Sequence, residues 1–343
     1  GFAIFPPMQR EKNRLIYLKK NPVGIPTEDD FELVEEAMPA PRDGEVLVRN
    51  RYISVDPYMR GRIGAGKTYA DNWKPGEPMR GGCVGEVVES ESELLTPGDH
   101  VVGGLGWRDY FISRADHLER VDAVAAPLSA YLGVLGMPGM TAFVGFEKLA
   151  QPEGGRTIFV SGAAGAVGSM VCALAKLRGL RVIGSAGTDR KTGWLRETVG
   201  ADAAINYRRE SDLIAAVANA APNGLDIYFD NVGGTHLEAA LESLNHHGTV
   251  ISCGMISAYN ATEPPAAPRN LFKIVGSRLT IRGFIVGDHW EHRDEFLRVV
   301  APKVGSGEIP YEETVVDGLE SAPRAFIGLF KGENLGKMVV KLA

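Results

Sequence analysis

The sequence is poor in cysteine. Its three cysteines, Cys83, Cys172 and Cys253, are odd in number, far apart and never in a CxxC pair. That pattern excludes a disulfide framework and a thiolate metal cage, and it points to a reducing, cytoplasmic setting. Excess charge is lacking too: 37 Lys and Arg against 43 Asp and Glu leave a formal net charge of −6. A mildly acidic chain is a poor partner for a nucleic-acid backbone or an anionic membrane. No basic, apolar leader opens the chain, so no signal peptide is expected, and Met8 reads as a native start behind a short added segment. One long uncharged run, residues 123–146, passes a crude test of membrane-spanning length, but Pro127, Gly133, Gly136, Pro138, Gly139 and Gly145 break it into short pieces. A buried junction between domains is expected there, not a membrane span. Neither an HExxH nor a GxSxG occurs. His289 and His292 flank Trp290 and Glu291 at a spacing that could hold a metal, but with so few ligands the seven histidines read as scattered surface residues. No metal is expected.

Glycine is what the chain has in plenty: 42 of 343 residues, against an average of about 7%. With 20 prolines and no collagen-like period, that excess implies many turns and ligand contacts made by backbone. A hydrophobic fraction of 44% and a charged fraction of 23% are those of a globular protein. At roughly 150 residues per domain, the length predicts two domains.

Residues 45–118 read as short strands and turns, with Glu45–Asn50, Val84–Val88 and the turn at Pro97-Gly98 as markers. From about residue 140 strands and helices alternate. Strands are expected at Thr157–Val160, Arg181–Gly184, Leu225–Phe229, Thr249–Ser252 and Leu279–Val286, with helices over Met170–Arg178, Trp194–Thr198 and Thr235–Leu244. That alternation predicts an α/β domain, a doubly wound parallel sheet of the Rossmann type, joined to a mostly-β domain.

The strongest local signal is Ser161-Gly162-Ala163-Ala164-Gly165-Ala166-Val167-Gly168, placed after a strand and opening a helix. Small residues let the backbone approach a pyrophosphate, and the helix start offers free N–H groups. The spacing is GxxGxxG rather than GxGxxG, so an ordinary tight turn is the competing reading. An NAD-binding sheet usually ends its second strand with Asp or Glu for the ribose hydroxyls. Here that stretch is Gly184-Ser185-Ala186-Gly187-Thr188, followed by Asp189, Arg190 and Lys191. The missing acid and the added cations favour the 2′-phosphate of NADP. Tyr58 and Tyr259 each sit just past a strand. By position each is either a packed ring with a solvated hydroxyl or a proton donor.

Six segments carry a resemblance: DPYMRGR (56–62), GVLGMPGMTAF (133–143), SGAAGAVGS (161–169), YFDNVGG (228–234), CGMISAYN (253–260) and KGENLGK (331–337). In them the chain resembles zinc-independent medium-chain dehydrogenases/reductases, in the branch of leukotriene/prostaglandin, alkenal double-bond and curcumin reductases. The resemblance implies a GroES-like β domain from residues 1–135 and 308–343 around a Rossmann domain of residues 136–307, with the site in the cleft. It implies Gly165, Ala166, Val167 and Gly168 at the pyrophosphate, and Lys191 and Tyr207, with Arg190 beside them, at the 2′-phosphate. Asn231, Cys253, Gly254 and Tyr259 would line the nicotinamide half, and Phe284, Ile285, Val286 and Asn334 would close over the cofactor. Arg80–Gly85 replaces the GHE stretch of zinc-dependent relatives, and Gly82 stands where plant members tend to carry Tyr, which implies a roomier pocket. The activity implied is NADPH-dependent reduction of the carbon–carbon double bond of α,β-unsaturated ketones and aldehydes. Tyr259 is the expected donor and Tyr58 is expected to orient the substrate. A quinone reductase and a non-catalytic NADPH-binding protein are the alternatives. Strand Leu279–Val286, at the sheet edge, suggests a homodimer.

Overall fold

The computed structural model describes residues 12–342, so the expectations for Gly1 to Met8 lie outside the described residues. The chain enters as a hairpin, β1 (Asn13–Leu18) and β2 (Phe31–Glu36). Then come β3 (Glu45–Ser54), β4 (Cys83–Ser90), β5 (His100–Gly103), β6 (Tyr110–Arg114) and β7 (Glu119–Val121). The turn at Pro97-Gly98 does feed β5, as the sequence indicated. The alternating half supplies β8 (Thr157–Val160), β9 (Arg181–Ala186), β10 (Ala203–Asn206), β11 (Leu225–Asp230), β12 (Leu244–Ser252) and β13 (Thr280–Gly283). The chain closes with β14 (Glu313–Asp317) and β15 (Lys337–Lys341).

Two sheets result. The first runs β14-β15-β3-β4-β5-β7, with β6 also on β3, so a C-terminal strand is zipped antiparallel onto an N-terminal one. The second, β10-β9-β8-β11-β12-β13, is parallel throughout. Renumbered from β8, its order is 3-2-1-4-5-6, the Rossmann order, whose switch point falls between β8 and β11. Successive side chains of a strand point to opposite faces. Ile158 and Val160 accordingly join one apolar core while Phe159 joins another on the far face. A separate core, built on Trp107, Phe31 and Phe326, serves the β lobe.

The uncharged run is a buried junction only from Ser129 onward, since Ala123 to Ala125 are exposed. Ala130 to Phe146 packs into the core of the parallel sheet, whereas Leu132 meets Val84 and Val339 of the β lobe. No helix among the described residues is long and apolar enough to cross a membrane. One expected strand is shorter than its apolar pattern: β13 stops at Gly283, because its partner β12 ends opposite at Ser252. Phe284 to Val286 therefore leave the sheet as loop and helix start.

Candidate active site

In a doubly wound sheet, ligands bind beyond the carboxyl ends of the strands at the switch point. Four such ends converge here. After β8 comes the glycine turn, and Gly165 caps helix Ala166–Leu177. A side chain at Gly168 would stand 2.3 Å from the Gly162 carbonyl oxygen, so only glycine lets the helix start so close to the strand. Gly162 itself adopts φ +58. Ala166 and Val167 are half-buried on the first turn of that helix. Gly336 then bridges to Gly165, its N–H donating to the Ala164 oxygen at 2.8 Å, and this brings Asn334 of the β lobe beside the turn.

After β11, Asp230 organises the next loop. Its Oδ1 accepts from Tyr228 Oη at 2.7 Å, Gly233 N at 2.7 Å and Val232 N at 3.0 Å. Asn231 Nδ2 donates to the Ser161 oxygen at 2.8 Å, tying this loop to the glycine turn. Cys253 and Gly254, after β12, donate their backbone N–H groups to the Asp230 oxygen at 2.9 and 3.0 Å. Burial pushes the Cys253 thiol up to about 12, so it is neither a nucleophile nor a base at neutral pH. Phe284 and Val286 pack on the sheet core while Ile285 stays exposed.

Tyr259 closes the β12 loop. Its hydroxyl accepts a bond from Met255 N at 3.3 Å and lies against Gly254, where an added side chain would sit 3.0 Å away. Burial, with Cys253, Tyr69 and Asp230 adding to it, raises its pKa above the usual tyrosine range. The hydroxyl thus keeps its proton and, having accepted one bond, has that proton free to donate. Across the cleft Tyr58 follows β3, and burial with Asp56 and Tyr69 raises its pKa as well. Arg60 Nε donates to Asn260 Oδ1 at 3.0 Å, which joins the two tyrosine-bearing segments. Lys337 is buried, donating to the Val55 and Met338 oxygens at 2.8 and 2.7 Å and facing Asp56, two residues before Tyr58, at 3.2 Å. Tyr69 and Lys337 were not singled out from sequence. A tyrosine in a glycine-rich loop and a lone lysine in a strand carry no pattern.

Cations gather at the far end. Lys191 Nζ donates to the Gly332 oxygen at 2.7 Å, and burial with Arg208 and Arg190 lowers its pKa. Tyr207 Oη and Arg208 Nε crowd Gly187, at 3.0 and 3.1 Å from where a Cβ would be. The Tyr207 ring meets His236 edge-on at 4.9 Å. Asp189 is not free for a ribose, since it accepts from Asn206 Nδ2 at 2.7 Å and pairs with Arg209. Arg208 is the addition here; the only sequence signal was its place beside Tyr207.

A cavity of about 480 Å³ lies elsewhere, between Val121–Tyr131 and Leu297–Gly305, and none of the expected site residues lines it.

Together, a Rossmann sheet, a β lobe docked against its glycine turn and two tyrosine-bearing segments joined by the Arg60–Asn260 bond define a class of two-lobed nucleotide-fold oxidoreductases. The family described as "N-terminal domain of oxidoreductase" matches residues 14–121, and that described as "Zinc-binding dehydrogenase" matches residues 166–301. The chain is 44% identical over 329 residues to prostaglandin reductase 1 of Bos taurus, covering 94% of this chain and 97% of that one. It is 41% identical over 336 residues to the NADP(+)-dependent 2-alkenal reductase of Nicotiana tabacum, covering 96% and 98%. The crystal structure of CurA from Vibrio vulnificus in complex with NADPH superposes with a TM-score of 0.92 at 40% identity, covering 96% and 99%. This chain belongs to the medium-chain dehydrogenases/reductases, in their zinc-independent branch of double-bond reductases.

Proposed function

We propose that this chain reduces the carbon–carbon double bond of α,β-unsaturated ketones and aldehydes, using NADPH. The observation that carries the reading is Tyr259: a protonated hydroxyl, already accepting from Met255 N, at the carboxyl end of β12. The residues present fit the cofactor. Gly165 to Gly168 and the start of helix Ala166–Leu177 would hold the pyrophosphate, because no side chain intervenes there. Lys191, Arg190, Arg208 and Tyr207 would hold the 2′-phosphate, a dianion that relieves the crowding of three cations. Asn231, Cys253, Gly254, Phe284, Ile285, Val286 and Asn334 would line the remaining length. Bound there, NADPH supplies the hydride. Tyr259 Oη donates to the carbonyl oxygen as negative charge grows on it, and a donor aimed at developing charge lowers the barrier. Tyr58 orients the substrate from the β lobe, on the segment whose Asp56 pairs with Lys337.

The proposed division into residues 1–135 and 308–343 against 136–307 is supported by the strand pairing, since β3 to β7, β14 and β15 share one sheet and β8 to β13 another. A homodimer is supported by β13, an edge strand exposed along its length, with Ile281 outward. Light scattering that gave only the monomer mass at micromolar concentration would count against that assembly. Three free thiols suit a cytoplasmic protein.

The test of the activity is a panel of simple enones, enals and quinones with NADPH. Turnover of enones and enals is expected, and it should survive exhaustive chelation, since no metal is assigned to the reaction. Turnover of quinones alone would replace the reading with a quinone reductase. NADPH binding without turnover of any acceptor would replace it with a binding protein.

A further inference from the structure

One cluster of side chains outside the cleft is unaccounted for. Segment Val286–His292, which follows β13, is two short turns of tight helix that meet at a kink. His289 and His292 are three apart, and their rings lie 6.4 Å centre to centre, 17° from parallel. From the sequence these two read as scattered; the structure gathers them with a third group. One nitrogen of each ring and a carboxylate oxygen of Glu291 all lie within 4.8 Å of one another. His289 breaks the helical backbone there, at φ −127 and ψ 24.

A supporting layer stands behind. His292 Nε2 is 3.7 Å from Glu291 Oε1, while its Nδ1 faces Glu295 Oε2 at 3.6 Å. The other oxygen of Glu295 accepts from Lys148 Nζ at 2.7 Å, which fixes that carboxylate in place. An imidazole with one nitrogen toward a carboxylate and the other toward a shared point is the arrangement that orients histidine ligands on metals.

We propose that His289, Glu291 and His292 bind one divalent transition-metal ion of the zinc and copper class, with Glu295 and Lys148 as positioning residues. Two imidazoles and a carboxylate suit these ions, whereas magnesium and calcium require oxygen ligands throughout. At bond lengths of about 2.1 Å, tetrahedral ligand atoms stand about 3.4 Å apart. The three side chains, none of them buried, close by roughly that difference around the ion. A fourth position is left to water. The site is separate from the chemistry of the cleft and does not rest on the activity proposed above. It adjoins the cleft through Phe284, whose ring meets His289 edge-on at 6.3 Å, so a bound ion ties down the segment that follows Phe284.

The experiment is calorimetric titration of the whole chain, stripped with a chelator, with Zn²⁺. One ion per chain at micromolar affinity or tighter is expected, with magnesium in excess failing to compete. His289→Ala and His292→Ala should each weaken binding at least tenfold, and Glu295→Gln by roughly 10-fold or more, as loss of an orienting partner does. His246→Ala with His247→Ala, an exposed pair far along the chain, should leave it unchanged. Cu²⁺ should quench fluorescence from Trp290, which lies between the ligands and is 47% exposed. Well under one ion per chain, unchanged affinity in both histidine variants, or loss only in the His246/His247 variant would overturn the proposal. Thermal melts of the variants separate lost ligands from lost folding.

Discussion

Removing the charge of Lys191 tests the cofactor assignment most directly. Lys191 Nζ already donates to the Gly332 oxygen at 2.7 Å, but a neutral carbonyl does not balance a half-buried ammonium with Arg190 and Arg208 beside it. Its lowered pKa is the sign of that imbalance, and a phosphate arriving among the three cations restores it. A hydrogen bond to a charged group is worth about 1.5–3 kcal/mol. At about 1.4 kcal/mol per factor of ten, Lys191→Ala should weaken NADPH binding by about 10- to 100-fold. Arg208 and Arg190 remain, so the single variant should fall near the lower bound. Lys191→Ala combined with Arg208→Ala should reach the upper one. NADH has no 2′-phosphate, so its affinity should change by less than about twofold, the scatter of contacts that are not made. Fluorescence titration of both cofactors into wild type and variants measures this, with melting curves to check that the Gly332 contact was not needed for folding. Equal losses for NADPH and NADH would refute the assignment, as would a double variant that keeps its NADPH affinity.

Tyr259→Phe should lower kcat/KM on a simple enone roughly 10- to 100-fold while NADPH affinity holds, and Tyr58→Phe should cost less; a Tyr259→Phe enzyme within about threefold of wild type would end the donor role. His236 is buried against Phe159 and Tyr207, and burial lowers its pKa to about 4. The unfolded chain takes up this proton near pH about 6.5. Stability from His236 is therefore full above that pH and is lost as pH falls toward 4, by about 2 kcal/mol at pH 5. His236→Phe should flatten that acid slope in denaturant melts, and an unchanged slope would refute the reasoning. Lys337→Met leaves Asp56 buried without its cation, so unfolding free energy should drop by about 3–5 kcal/mol; a loss under about 1 kcal/mol would show that Asp56 is otherwise satisfied.

Local pattern carried much of this protein. Strand–helix alternation after residue 140 determines a parallel doubly wound sheet because strands buried on both faces must be apolar throughout and joined by crossovers, and both signals are short-range. The glycine turn was legible for a similar reason: Gly168 is demanded by a contact only six residues back. The weak elements were not legible. β10 is Ala203-Ala204-Ile205-Asn206, with little strand preference of its own, and it forms because β9 offers an open edge. Other features needed the tertiary fold outright. Arg208 joins Lys191 only because β10 delivers it next to the end of β9, and Lys337 becomes a buried charge only because β15 pairs with β3. The convergence of His289, Glu291 and His292 required the kinked helix after β13. The sequence by itself determined the fold class and the glycine turn, since each rests on neighbours along the chain. Only the tertiary structure decided which charges meet, because side chains far apart in sequence are brought within a few ångströms by strand pairing that no local pattern encodes.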